Sequence, residues 1–205
     1  MAPDTTKGER TRQRILDEVG PLFNERGYQA TSLADVMAAT GLEKGGIYNH
    51  FGSKDDLALA AYERNAAIQA DLIGAAVQAA SGAVDKLCAV VDAFRRFAHE
   101  PPYPGGCPTL NTAVEAAGVD PRLHERARQQ MQTLLDLLVR LARRGVREGQ
   151  LRPDLDAVAL ATVIASSIEG ALLLHQLFDD VSHVDHVTDH LERLVRSYAT
   201  SEDRT

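Results

Sequence analysis

Residues 41–54 run GLEKGGIYNHFGSK. Helical residues surround them, yet Gly45 and Gly46 are adjacent, and each costs roughly 1 kcal/mol relative to alanine inside a helix. An aromatic, an amide, an imidazole and a second aromatic follow directly: Tyr48, Asn49, His50 and Phe51. A stretch that gives up helix stability and then presents such side chains needs something for them to touch.

The flanks supply the frame. Upstream, Ile15, Leu16, Val19, Leu22 and Phe23 repeat at the spacing of one helical face and predict a first helix over about 6–26. Pro21 inside it predicts a bend or local irregularity, and Gly27 suits the residue after its end. In TSLADVMAATG, Thr31 or Ser32 can cap a short helix that turns Leu33, Val36 and Met37 inward and stops at Gly41. The 41–54 stretch then holds a second short helix over about 43–50. Ser53 caps a long one after it, with Asp55 and Asp56 at its positive end.

Two short helices joined through a glycine turn and packed on a longer first helix make a helix-turn-helix. The second of the pair lies in the major groove of DNA with its first residues at base edges. The glycines then clear space where a backbone approaches phosphates or base edges. Ile47 and Phe51 anchor the helix. Tyr48 and His50 can reach phosphates, Asn49 a base edge or a phosphate. Lys44 is a cationic arm, and Lys54 adds its charge to a helix N-terminus.

The whole chain fits this organisation. It has 205 residues, 44% hydrophobic and 25% charged, with a formal net charge of −7. Residues 1–54 carry seven Lys/Arg and seven Asp/Glu, so the acid excess lies wholly beyond residue 54. That pattern excludes a general coat for nucleic acid and allows a few placed cations on a neutral head. Strand signals are nearly absent, and periodicity predicts about nine helices. PPYPGG at 101–106 is the clearest break. The apolar run 157–174 contains Glu169, which suits a buried or interface helix better than a membrane span. The charged N-terminus lacks the apolar core of a signal peptide, and two cysteines cannot frame a disulfide scaffold, so a reduced, cytoplasmic protein is expected. No phosphate-binding loop, nucleophile elbow, dinucleotide fingerprint or metalloprotease helix is present, so no enzyme and no cofactor are expected. A helical scaffold binding only protein would leave KGGIYNHFGSK without a purpose.

Residues 11–63, with their R-x-x-I-L-D opening, F-x-x-x-G-Y-x-x-T-S turn and G-x-x-K-G-x-I-Y-x-H-F-x-S-K block, resemble the DNA-binding domain of the TetR family of bacterial transcriptional regulators. The resemblance implies an all-α protein with a helix-turn-helix domain over 1–52 and a ligand-binding and dimerisation domain over 53–205. It implies a homodimer that binds a double-stranded operator, most often as a repressor, and releases it when a small-molecule effector binds. Position by position it assigns phosphate contact to Thr31 and Lys54, and the recognition helix to Lys44, Gly45, Gly46, Tyr48, Asn49 and His50. Gly46 stands where serine, threonine or alanine is common in the family, which shifts base reading toward Lys44, Asn49 and the basic N-terminal arm.

For the effector, the candidates on the apolar helices are Phe94, Phe97, Asn111, Glu115, Ser166, Glu169, Leu173 and His175. Glu169 leads, since an acid in an apolar run needs a cation, a hydrogen-bonding ligand or a partner protomer. Cys107, after two glycines near a helix start, raises the alternative of a redox- or electrophile-sensing repressor. A small packing residue is the plainer account. His183, His186 and His190 have metal-compatible spacing but no cysteine nearby, and no metal is assigned. The dimer is expected to use the helices near 154–178 and 185–198, the first being rich in small residues, as a four-helix interface. A two-fold dimer predicts a pseudo-palindromic operator.

Overall fold

A computed structural model describes residues 6–200. Among them are nine α-helices and no strand: α1 (Lys7–Arg26), α2 (Leu33–Thr40), α3 (Lys44–Tyr48), α4 (Lys54–Ala79), α5 (Gly82–His99), α6 (Pro108–Glu115), α7 (Pro121–Arg147), α8 (Ala157–Phe178) and α9 (Ser182–Ser197). The all-α expectation holds, and element ends fall where local chemistry stops them.

The helix starts are capped by side chains. Thr6 and Glu9 form a reciprocal capping box on α1, and Ser32 and Asp35 repeat it on α2. Those bonds hold both carboxyls below the usual range. Gly41, at φ 65°, closes α2 in the left-handed conformation and returns its N–H to Met37. Helix α1 continues unbroken through Pro21.

Contacts divide the chain into two compact units. The first takes the described residues up to Ile68 together with Tyr103–Ala127. Its core joins Ile15, Val19 and Phe23 of α1, Val36 of α2, Ile47 of α3 and Leu57 and Ala61 of α4. Ala116, Leu123 and Ala127 belong to the same core. Besides α1 to α3, this compact unit takes the first part of α4, all of α6 and the start of α7. Leu57, Ala61, Leu123 and Ala127 on those segments are buried in one cluster with Ile15, Val19 and Phe23 of α1.

The second unit takes Gln69–Pro102 and the described residues from Arg128 on. Helix α9 packs against both α5 and α8. Phe94 and Leu87 of α5, Leu138 of α7, Ile164 and Leu172 of α8 and Leu191 of α9 are fully buried. Arg95 ties α5 to α9, donating to Thr188 at 2.8 Å with Asp189 and Glu192 beside it. Helix α8 is long and apolar enough to cross a membrane by length and composition. Within its own unit, however, it buries one face.

Candidate nucleic-acid interface

Helix α3 is five residues long, and Glu43 before it makes no side-chain cap. Packing holds it instead: Ile47 is fully buried and Phe51 nearly so. The opposite side faces outward, with Lys44, Gly45 and Asn49 exposed and Tyr48 and His50 half-buried. A Cβ built on Gly45 meets nothing within 4 Å, and one on Gly46 meets only Leu42 at an ordinary 3.6 Å. Neither glycine has a positive φ. The fold itself therefore does not require glycine at either position.

The cations around α3 are held in place by aromatic rings. Lys44 Nζ lies 5.8 Å from the centroid of the Tyr48 ring, Lys54 Nζ 4.8 Å from that of Tyr28, and the Arg12 guanidinium 4.9 Å from that of Phe51. Ring and cation attract without neutralising the charge, so each cation remains available to an anion. Lys44 stands at the positive end of α3 with no acid in the first turn. That placement is unfavourable in an isolated helix and favourable beside a phosphate.

Thr31 requires a correction. It is fully buried, and its hydroxyl donates to the Gly27 carbonyl at 2.7 Å, so it spends its polar group inside the α1–α2 turn. The neighbouring cap, Ser32, is exposed and is the hydroxyl that faces outward at the head of α2. Sequence left open which of the two caps the helix, and burial separates them.

Tyr28 also lay outside the sequence reading. Its hydroxyl donates to Asp55 in the first turn of α4. Burial, then that bond and the Asp55 charge, push its pKa far above the ordinary phenol value.

The residues expected to meet an effector fall into two sets. Cys107, Asn111 and Glu115 belong to the head unit. Cys107 is buried at the start of α6. The Asn111 amide donates to the Gly105 carbonyl, and Glu115 accepts the backbone N–H groups of Tyr28 and Gln29. These polar groups do structural work, and Asn111 and Glu115 also line a small cavity of the head unit with Tyr28, Tyr62 and Asn65. Phe94, Phe97, Ser166, Glu169, Leu173 and His175 lie in the second unit. Phe94, Phe97 and Glu169 are buried. Phe97 walls a largely apolar groove of about 540 Å³ with Leu72, Ala76, Ala93 and Arg96. Leu173 is 53% exposed and Ser166 exposed, on the outward side of α8. Among the described residues no three His, Cys, Asp or Glu side chains converge as a metal site.

The N-terminal model of the bacterial regulatory proteins of the tetR family matches residues 15–61, and the model of the tetracyclin repressor-like C-terminal domain matches residues 83–191. A crystal structure of a TetR regulator from Chloroflexus aurantiacus superposes with a TM-score of 0.90 at 38% identity, covering 94% of this chain and 98% of the other. A TetR-family regulator from Cytophaga hutchinsonii gives 0.88 at 31% identity, covering 97% and 99%. The repressor AcnR of Corynebacterium diphtheriae is 24% identical over 91% of this chain and 92% of its own. With Lys44 exposed on α3 and the two family models together spanning most of the chain, the chain belongs to the TetR family of bacterial transcriptional regulators.

Proposed function

We propose that the protein is an operator-binding repressor that works in the cytoplasm as a homodimer and is released by a small-molecule effector. The observation that carries the DNA-binding part is α3. Its buried side is pinned by Ile47, while its outer side shows Lys44, Asn49 and Gly45 beside open space, with room at Gly46 for a methyl in ordinary contact with Leu42. Inside the protein nothing explains the missing side chains, and close approach of a duplex does. Lys44, Gly45, Gly46, Tyr48, Asn49 and His50 form the recognition surface in this reading. Lys54 and Ser32 contact phosphate beside it.

The outward stripe of α8 supports the dimer. Val158, Val163, Leu173, Leu174 and Leu177 are exposed in the single chain, with Ala159, Ser166 and Gly170 between them. A small-residue centre flanked by larger apolar residues lets two copies approach closely. The groove walled by Phe97 has the size and apolar lining of a small-molecule site. It supports an effector that is mainly apolar, with Arg96 and Glu100 at the rim for a polar end. A ligand bound there controls DNA only by the difference in its affinity for the bound and released states.

A salt titration tests the DNA reading. A fluorescein-labelled duplex, selected by the protein from a random-sequence pool, is bound at increasing salt. Affinity falls steeply with salt if several phosphates are contacted. Lys44→Ala and Tyr48→Ala abolish specific binding while leaving the helical circular dichroism unchanged. Normal binding by both variants would remove the recognition surface from α3.

A further inference from the structure

Glu115, the last residue of α6, spends both carboxylate oxygens on the turn between α1 and α2. Oε2 accepts the Tyr28 N–H at 2.9 Å and Oε1 the Gln29 N–H at 2.6 Å. The turn is shaped for it. Gly27 has φ 87°, and a Cβ there would stand 3.1 and 3.2 Å from the two Glu115 oxygens. The loop leading into α6 is tied to the end of α1 by other bonds: the Asn24 amide donates to the carbonyls of Pro104 at 2.7 Å and Gly106 at 3.0 Å. From the turn hang two parts of the DNA surface. The Gly27 carbonyl takes the Thr31 hydroxyl just before the Ser32 cap, and Tyr28 carries its ring under Lys54 with its hydroxyl on Asp55.

We propose that Glu115 is a positioning residue for operator binding. By holding two adjacent backbone N–H groups it fixes Tyr28, and Tyr28 seats the Lys54 ammonium where it meets a phosphate. The proposal rests on the reading of this unit as the DNA-binding head. Carboxylate bonds to backbone N–H groups are short and strong, and a carboxylate alone can accept at both oxygens. In Glu115→Gln the side chain keeps its size, but one end becomes an NH₂ group facing an N–H, so one bond is lost and the turn loosens.

The test uses the full-length protein and the selected duplex. In Glu115→Gln affinity falls about tenfold, and the slope of log affinity against log salt drops by about one for each Lys54 released. Adding Lys54→Ala to that variant changes the slope no further. Tyr28→Leu, which keeps the turn and removes the ring, reproduces the loss of slope and serves if Glu115→Gln does not fold. A merely structural role would lower the melting temperature and leave the slope unchanged, which overturns the proposal. Full additivity with Lys54→Ala also overturns it. If Lys54→Ala itself binds normally, Lys54 meets no phosphate and the proposal fails, whereas normal binding by Lys44→Ala and Tyr48→Ala removes the head's DNA reading, so the two failures are told apart.

Discussion

The side-chain amide of Asn65 donates to the Gly20 carbonyl at 2.8 Å across the buried contact of α4 with α1. The other amide atom, Oδ1, would stand 2.7 Å from a Cβ on Gly20. Gly20 is therefore a close-approach glycine. Gly20→Ala forces Asn65 or α4 to move and destabilises the head by about 1–3 kcal/mol, as overpacking of a tight contact does. Thermal unfolding of the variant checks it. An unchanged midpoint would mean that the two helices can separate at no cost.

Gly45 makes the opposite prediction. A methyl there meets nothing in the protein, so Gly45→Ala gains about 0.5–1 kcal/mol of helix stability. The same methyl stands on the surface assigned to DNA, and operator affinity drops. A calorimetric midpoint that rises while the binding titration weakens is the expected pair of results. Unweakened binding would show that the duplex does not approach at Gly45.

The outward face of α8 is tested by charge. Leu173 and Leu177 are 53% and 68% exposed in the single chain, and either one replaced by glutamate sets like charges against each other in a two-fold contact. Sedimentation then reports a monomer with unchanged helix content. A dimer that survives both changes uses another face.

Acid sensitivity follows from the capping and bridging carboxylates of the head. The Arg122 guanidinium, then the Ser53 hydroxyl, hold the Asp56 carboxyl below its usual value, as Ser32 does for Asp35 and Thr6 for Glu9. A folded-state value below the unfolded one contributes stability that is complete above the ordinary carboxylate range, near pH 4, and is lost as pH falls through the lower folded values. The melting temperature therefore changes little between neutral pH and about 5 and declines below about 4. Asp56→Asn melts lower at neutral pH and shows a shallower decline. An equally steep decline would take Asp56 out of the account.

Both thiols are shielded. Cys88 is buried in α5, which pushes its thiol up to about 11, and Cys107 is 2% exposed. Reactive cysteines are exposed and low in pKa. Iodoacetamide at neutral pH therefore labels the native protein slowly and labels both residues once urea unfolds it. Fast native labelling of Cys107 would instead favour the redox-sensing alternative.

The helices, their caps and the glycine-marked turn were legible along the chain because these signals act over three or four residues. Thr6 with Glu9, Ser32 with Asp35, and Gly41 after α2 all close their bonds locally. The same local pattern marked α3 as weak alone and dependent on Ile47 and Phe51. The roles of Thr31, Asn111 and Glu115 were not legible. Thr31 differs from Ser32 only in the direction it faces once α2 has docked. Glu115 meets its partner at Tyr28 across 87 positions of sequence, and Asn65 meets Gly20 across 45. Periodicity and capping carry no information about such distant pairs. Packing chose them, because a polar group buried in a core must find whatever partner the neighbouring helix brings.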